Sequence, residues 1–399
     1  MTNFQRLCIV ALCSTGIGIG LLRFSYTALM PLTIAEHWWS SDFASYLASA
    51  NLIGYLLGAI VAFTAIREHL IARVIIFSAL LGSLSLVFCG IHPLHEAWYM
   101  FWRVISGVTG GLLMVLGPSF ALKQVLPEQK NLLGLLAFSG IGFGILISTT
   151  LLPPLARFSV AIAWYALGAL ALVMTLILTL MLRQLPKVEL AHLAHASLPQ
   201  INLTRQQYSL AALVIAAYFM SAIAYIPHSL FWVDFLIRQL HQSQDFANLQ
   251  WMIYGSGSMI GALVAYFSVK KWGSMNSLWR LYLAFSIAIF LPTFFSHPYI
   301  LTISSFFCGV LNPATVSLSS TLLADIVTTQ RHRQAWGAAV MAFAIAQLIG
   351  GLGMSYLLVN RVEYQQLFGI GGSVMLLGVV LSLVAAITQA RKTQAVLAP

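Results

Sequence analysis

Two arginines stand inside stretches of the chain that are otherwise apolar. Arg23 falls in the run 7–30 and Arg103 in the run 97–122, each long enough to cross a bilayer. A charge in hydrocarbon costs at least about 2.5–3.5 kcal/mol on insertion scales, so such a residue faces protein or water. The guanidinium forks onto carboxylate or phosphate through two parallel hydrogen bonds, which makes anion binding its natural chemistry. Arg23 lies seven residues before Met30 and Arg103 six after Ala97. At 1.5 Å per residue, both sit roughly 10 Å in from the same side. The ten acidic residues (Glu36, Asp42, Glu68, Glu96, Glu128, Glu189, Asp234, Asp245, Asp325 and Glu363) all fall in breaks or at run ends. Neither arginine therefore has an obvious buried partner unless Asp42 or Asp234 reaches inward. The plainer alternative is that each snorkels outward or bonds backbone carbonyls at a helix break.

The second group of candidates is neutral. Tyr218, Ser221, Tyr225 and His228 are spaced 3, 4 and 3, which places them on one helical face. Asn312, Thr315 and Ser319 repeat that spacing, with Pro313 predicting a kink. Interhelical hydrogen bonding accounts for such stripes as readily as ligand binding does. His228 is the one histidine within an apolar run, and its ordinary titration range makes it the proton-coupling candidate. Tyr26, Asn51, Tyr55, Trp251, Tyr254 and Gln347 are further polar candidates in the runs. Cys8, Cys13, Cys89 and Cys308 all lie in apolar runs and read as small apolar side chains, so neither a disulfide framework nor a metal site is expected. No P-loop, G-x-S-x-G or H-E-x-x-H occurs, so no catalytic residue, ATP-driven step or cofactor is expected.

The elements that must position these residues follow from composition. Of 399 residues, 60% are hydrophobic and 8% charged, and mean hydropathy is +0.89. Soluble domains carry about 25% charged residues, so lipid must be part of the solvent here. Twelve spanning runs are predicted: 7–30, 43–66, 72–91, 97–122, 132–152 and 160–182, then 207–231, 248–268, 278–295, 299–324, 335–358 and 364–388. The longest polar break, 184–206, predicts a cytoplasmic linker between halves 1–183 and 207–399. With the N-terminus inside, the inner face holds Arg6, Arg67, Arg73, Lys123, Lys130, Arg183, Lys187, Arg205, Lys270, Lys271, Arg280, Arg331, Arg333, Arg391 and Lys392. The outer face holds Arg157, Arg238 and Arg361, and this asymmetry predicts both termini to be cytoplasmic. Trp38, Trp39, Trp98 and Trp232 are expected to anchor the outer interface. The net charge of +10 is scattered among the breaks rather than clustered, which excludes a nucleic-acid partner.

The halves are copies. Gly54, Gly58, Ala59, Val61 and Ala62 align with Gly257, Gly261, Ala262, Val264 and Ala265 at an offset of 203, as Gly134 does with Gly337. Gly107-Val108 aligns with Gly309-Val310 at 202. Gly54-x-x-x-Gly58 and Gly257-x-x-x-Gly261 are small faces that let helices approach closely.

Twelve spans, a six-plus-six duplication and a central linker together resemble the major facilitator superfamily over nearly the whole chain. The stretch Gly18-x-Gly20-x-x-Arg23-Phe24-x-Tyr26 with Pro31, and Arg103-x-x-x-Gly107, are similar to a bacterial subgroup of largely uncharacterised, YbfB-like members. The family's loop between helices 2 and 3 carries an Asp where this chain has Ala62, and Ala265 in the second copy, so the latch that Asp provides is in doubt. The Gly-Pro pair of the drug-antiporter branch is missing from helix 5.

The resemblance implies an all-α membrane fold of two six-helix bundles, with helices 1, 4, 7 and 10 lining a cavity. Arg23 and Arg103 would then clamp an anion, with Tyr26, Tyr218, Ser221, Tyr225, His228, Asn312 and Thr315 as further substrate-binding candidates. Gly54, Gly58, Gly257 and Gly261 would serve the packing and gating contacts between halves, helix 2 against 11 and 5 against 8. The expectation is a monomeric secondary transporter or symporter of a small organic anion or zwitterion in the bacterial inner membrane. Proton-coupled efflux and a non-transporting receptor or assembly role are the alternatives.

Overall fold

A computed structural model of the protein describes residues 1–156, 158–186 and 203–397. Most of the expected linker, at 187–202, and Arg157 lie outside the described residues. Among the described residues twelve helices are long and apolar enough to cross a membrane: α1 (Asn3–Ala35), α2 (Asp42–Thr64), α3 (Glu68–Cys89), α4 (Glu96–Leu122), α5 (Pro127–Leu152), α6 (Val160–Arg183), α7 (Arg205–Ala224), α8 (Gln244–Trp272), α9 (Ser274–Phe294), α10 (Pro298–Val327), α11 (His332–Val359) and α12 (Tyr364–Ala390). In lipid every backbone N–H and C=O must be satisfied within the chain, and a helix does this locally. The four cysteines are buried free thiols.

The described chain packs as two units. The first comprises Met1–Thr204 with Thr329–Met341, and the second Arg205–Thr328 with Ala342–Pro399. The boundary thus runs through α11, whose first turns pack with the N-terminal unit. There the Trp336 indole N–H donates to the Met114 carbonyl at 3.0 Å, and the Arg333 guanidinium donates to the Ile66 carbonyl. Glu68 gathers two cations: Lys123 at 2.8 Å and Arg333 at 3.4 Å. Glu68, six residues after Ala62, is the carboxylate that these two cations share.

The duplication shows in the contacts that fix the helix spacing. In the first unit α2 lies against α4, and in the second α8 lies against α10. A Cβ added to Gly54 or Gly58 would overlap the carbonyls of Val104 or Val108, and one on Gly107 would overlap that of Asn51. Gly257 and Gly261 meet the carbonyls of Phe306 and Val310 in the same way, and Gly309 that of Tyr254. Each of these glycine faces thus has a close partner inside its own unit. Only a residue without a side chain admits a neighbour's carbonyl at that distance, so the GxxxG faces set the packing of α2 on α4 and of α8 on α10.

Two expectations are corrected. The run 207–231 is not one helix. α7 ends at Ala224, and short segments Ile226–Leu230, Trp232–Asp234 and a π-helical Phe235–Gln239 follow. Pro227 supplies the reason, since it has no N–H to bond back and its ring disfavours the helical conformation of the residue before it. Pro313, by contrast, sits inside an uninterrupted α10. Of the four tryptophans expected at the interface, Trp39 and Trp232 are buried in protein.

Leucine at Gly58 or Gly261 is expected to force α2 from α4 or α8 from α10, costing about 1–3 kcal/mol or more as overpacking does. Lowered melting temperature of the detergent-purified variant, with loss of a monodisperse elution peak, is the measurement. Alanine at Gly353, where an added Cβ meets nothing, leaves both unchanged.

Candidate substrate-binding site

The N-terminal unit builds its site around a widened turn. Within α1 the segment Gly16–Phe24 is π-helical, and α-helix resumes at Ser25. Glycines at 16, 18 and 20 weaken the α-helical preference of the segment and bring its backbone close to its neighbours. Gly18 faces the Gly110 backbone of α4, while Gly16 and Gly20 face Gly140 and Gly144 of α5. Short π-helical insertions alter the backbone ladder locally and gather at functional sites.

Arg103 reaches that segment. It is 1% exposed, with its Nη1 donating to the Leu22 carbonyl at 3.1 Å and its Nε directed at the Leu47 carbonyl at 3.5 Å. The guanidinium carbon lies 4.2 Å from the centre of the Tyr26 ring, a cation–π contact in a desolvated setting. The Tyr26 hydroxyl donates to the Ala44 carbonyl at 2.8 Å, and its ring packs against Trp39 and Trp164. Asn51 on α2 donates to the Ser106 hydroxyl at 2.7 Å, tying α2 to α4 beside Arg103. No ion pair reaches Arg103 among the described residues. Asp42 is exposed, and Asp234 pairs with Arg238 at 3.5 Å. Arg23 differs. It is only half-buried, with its guanidinium carbon 5.5 Å from the Tyr55 ring centre and 5.5 Å from that of Phe24. The structure therefore brings Arg23, Arg103, Tyr26, Asn51 and Tyr55 together. For Arg103 the structure shows the plainer alternative, bonding to backbone carbonyls beside an irregular turn, and only the identity of the two carbonyls, those of Leu22 and Leu47, has no signature in residue type.

The C-terminal unit gathers a second, uncharged cluster. The Asn312 amide donates to the Tyr254 hydroxyl at 3.1 Å, which donates to the Tyr225 hydroxyl at 3.0 Å. Trp251 stacks on Tyr254 with ring centres 4.8 Å apart. The expected stripe does not stay on one face, because the break after Ala224 turns the chain. Tyr218 packs on Phe343, and Ser221 bonds back to the Tyr218 carbonyl. Thr315 bonds back to the carbonyls of Leu311 and Asn312 of its own helix. His228 sits apart from the tyrosines. It stacks on Trp232 at 4.7 Å and lies 2.9 Å from the Ser304 hydroxyl. Ser304 commits its own proton to the Ala288 carbonyl, so the network assigns the His228 proton to Nε2 and leaves Nδ1 a bare, buried acceptor. His228 is also not alone, since His332 in α11 is equally buried. Among the described residues no three His, Cys, Asp or Glu side chains gather as a metal site would need.

A family described as "Uncharacterised MFS-type transporter YbfB" matches residues 15–383. The chain belongs to this family. Among curated proteins it is similar to an uncharacterised MFS-type transporter, YceJ, of Bacillus subtilis (strain 168), at 25% identity over 270 residues, 65% of this chain and 66% of that one. The chain thus spans just under two thirds of that relative's length. The fold is that of the major facilitator superfamily. The proton:xylose symporter XylE, bound to 6-bromo-6-deoxy-D-glucose, superposes with a TM-score of 0.76 at 15% identity, covering 95% of this chain and 94% of that one. A bacterial homologue of the iron transporter ferroportin gives 0.73 at 13% identity over 97% and 100%. The human organic anion transporter MFSD10 gives 0.69 at 13% over 96% and 100%. At these identities the solved structures speak for the fold. Family and fold alike are those of transporters, and membership accounts for the twelve apolar helices as a multi-pass membrane protein.

Tyr254→Phe removes the acceptor of the buried Asn312 amide and the donor to Tyr225. Leaving such a group unsatisfied is expected to cost about 1–3 kcal/mol. A lowered melting temperature checks this, and Asn312→Leu in the Tyr254→Phe background is expected to recover part of the loss.

Proposed function

We propose that this chain is a secondary active transporter of a small organic anion or zwitterion, working by alternating access as a monomer. It would sit in a bacterial inner membrane with both termini cytoplasmic, as the Lys and Arg distribution favours. The observation that carries the reading is the charge around residues 22–26. Two guanidiniums gather there, and no carboxylate reaches Arg103 among the described residues. Carbonyl dipoles and ring faces lower the cost of a buried cation without neutralising it, so the field around the segment favours a ligand that brings negative charge. The C-terminal cluster of Asn312, Tyr254 and Tyr225 offers hydroxyl and amide groups suited to a neutral polar part of a metabolite. Proton-coupled efflux has a weaker basis, because His228 is stacked, hydrogen-bonded and met by no ion pair among the described residues.

Thermal-shift screening of the purified protein against citrate, glutamate, benzoate and quaternary-ammonium dyes is the test. Stabilisation by the carboxylates, absent in Arg23→Ala, is expected. Stabilisation by the cations alone would overturn the substrate class. Uptake of the stabilising compound into proteoliposomes then separates a transporter from a receptor or assembly protein.

A further inference from the structure

We propose that the turn between α8 and α9 binds an anionic phospholipid. Lys270, Lys271 and Arg280 take the headgroup phosphate, and the exposed apolar faces of the two helices take the acyl chains. The proposal is independent of the transport reading and needs only that α8 and α9 cross a membrane.

The turn is a single residue. Gly273 reverses the chain between the two helices with φ 75°, a left-handed conformation that glycine adopts without strain. Two spanning helices joined so tightly place their shared corner at the bilayer surface. Lys270 and Lys271, in the last turn of α8, are exposed there. The Lys271 ammonium lies 5.0 Å from the centre of the Trp272 ring, and the Arg280 guanidinium carbon lies 5.2 Å from that same centre. Arg280 also lies 4.4 Å from the centre of the Trp279 ring. Its Nη1 donates to the Asn276 carbonyl at 2.9 Å, one turn back toward the corner. One indole therefore serves two cations, and a second indole holds Arg280 beside it. No ion pair reaches Lys270, Lys271 or Arg280 among the described residues. Ring faces steer cations without cancelling their charge, so the gathered charge favours an anion. Indoles are also the side chains that settle at headgroup depth.

The helix faces continue the site into the hydrocarbon. Phe267 and Leu263 lie four and eight residues before Lys271, on its face of α8, and both are exposed. Leu283 and Ile287 lie three and seven residues after Arg280, on its face of α9, and are exposed as well. Cations at the surface with apolar side chains running inward from them match the order of phosphate and acyl chain in a lipid. Basic pockets between spanning helices are known to take anionic headgroups.

The duplication supplies the contrast. At the 203-residue offset Lys271 corresponds to Glu68, and Arg280 to Phe77. The corner of the first copy thus carries a carboxylate shared by Lys123 and Arg333, while that of the second carries cations alone. The excess charge belongs to one copy and is no consequence of the shared fold.

The test is a thermal-shift titration of the detergent-purified protein with dihexanoyl phosphatidylglycerol, dihexanoyl phosphatidylcholine and inorganic phosphate. Phosphatidylglycerol alone is expected to raise the melting temperature, and less so at high salt. The triple variant Lys270→Gln, Lys271→Gln, Arg280→Gln is expected to need about tenfold more of it or worse, since each cation near the surface adds its own attraction. Arg67→Gln with Arg73→Gln removes two cations near the first copy's corner and is expected to leave the response unchanged. An equal response to phosphatidylcholine overturns the site, as does an equal loss in the Arg67 and Arg73 variant. Inorganic phosphate acting as well as phosphatidylglycerol would make the ligand a free anion and overturn the lipid. Should the triple variant lose its monodisperse elution peak, Lys271→Glu, which writes in the residue of the first copy, decides alone. An unchanged response to phosphatidylglycerol in that variant overturns the proposal.

Discussion

Arg103 holds its place by donating to the carbonyl of Leu22, and much of the N-terminal unit is arranged so that it can. A guanidinium without a carboxylate must be solvated by dipoles, and in a helical membrane protein most backbone oxygens are already used. A π-helical stretch alters that ladder, and glycine makes the stretch possible. The same glycines pull α4 and α5 against α1, which carries the base of Arg103 to within reach of residue 22. Charge, turn geometry and packing are thus one requirement. Changing Gly18 to a larger residue would move the cation as surely as changing the cation itself.

The close approach of α2 to α4 completes the arrangement. Because Gly54, Gly58 and Gly107 admit neighbouring carbonyls, Asn51 lies within 2.7 Å of Ser106, and Tyr55 stands one turn further along α2 beside Arg23. The second unit uses the same glycines at Gly257, Gly261 and Gly309 to bring Tyr254 to Asn312. The glycine pairs are the close-packed contacts on which each unit mounts its polar groups. Precision at a site demands rigid supports, and backbone-to-backbone contact is about as rigid as helix packing allows.

Much of this was legible in residue order, for physical reasons. Apolar length gives the spans, because bilayer thickness is a fixed ruler. The 203-residue offset gives the duplication, because glycines that admit a carbonyl cannot drift. Arg23 and Arg103 stand out because charge in such runs is costly. Backbone carbonyls at a helix irregularity were an open alternative for Arg103, and they are what it meets; what escaped was which ones, since no side chain announces the oxygens of Leu22 and Leu47. The break after Ala224 had a cue in Pro227, overridden by the run's apolar length. Glu68 escaped because its two partners, Lys123 and Arg333, lie far from it in the chain and only folding brings them to one carboxylate.

Duplication followed by divergence explains why the two units differ in chemistry while sharing geometry. At the 202-residue offset that aligns α4 with α10, the counterpart of Arg103 is Ser305, a buried hydroxyl with no hydrogen-bond partner among the described residues. A small polar group survives there where a guanidinium would need its own altered backbone, and the counterpart of the α1 π-segment is instead the proline-broken stretch around Pro227. Position 305 cannot become arginine without a carbonyl to receive it, and the carbonyl at 22 has no reason to be freed without an arginine to take it. Cation and backbone irregularity are therefore a coupled pair. That coupling argues that the charge in the N-terminal unit is a retained device rather than a tolerated accident.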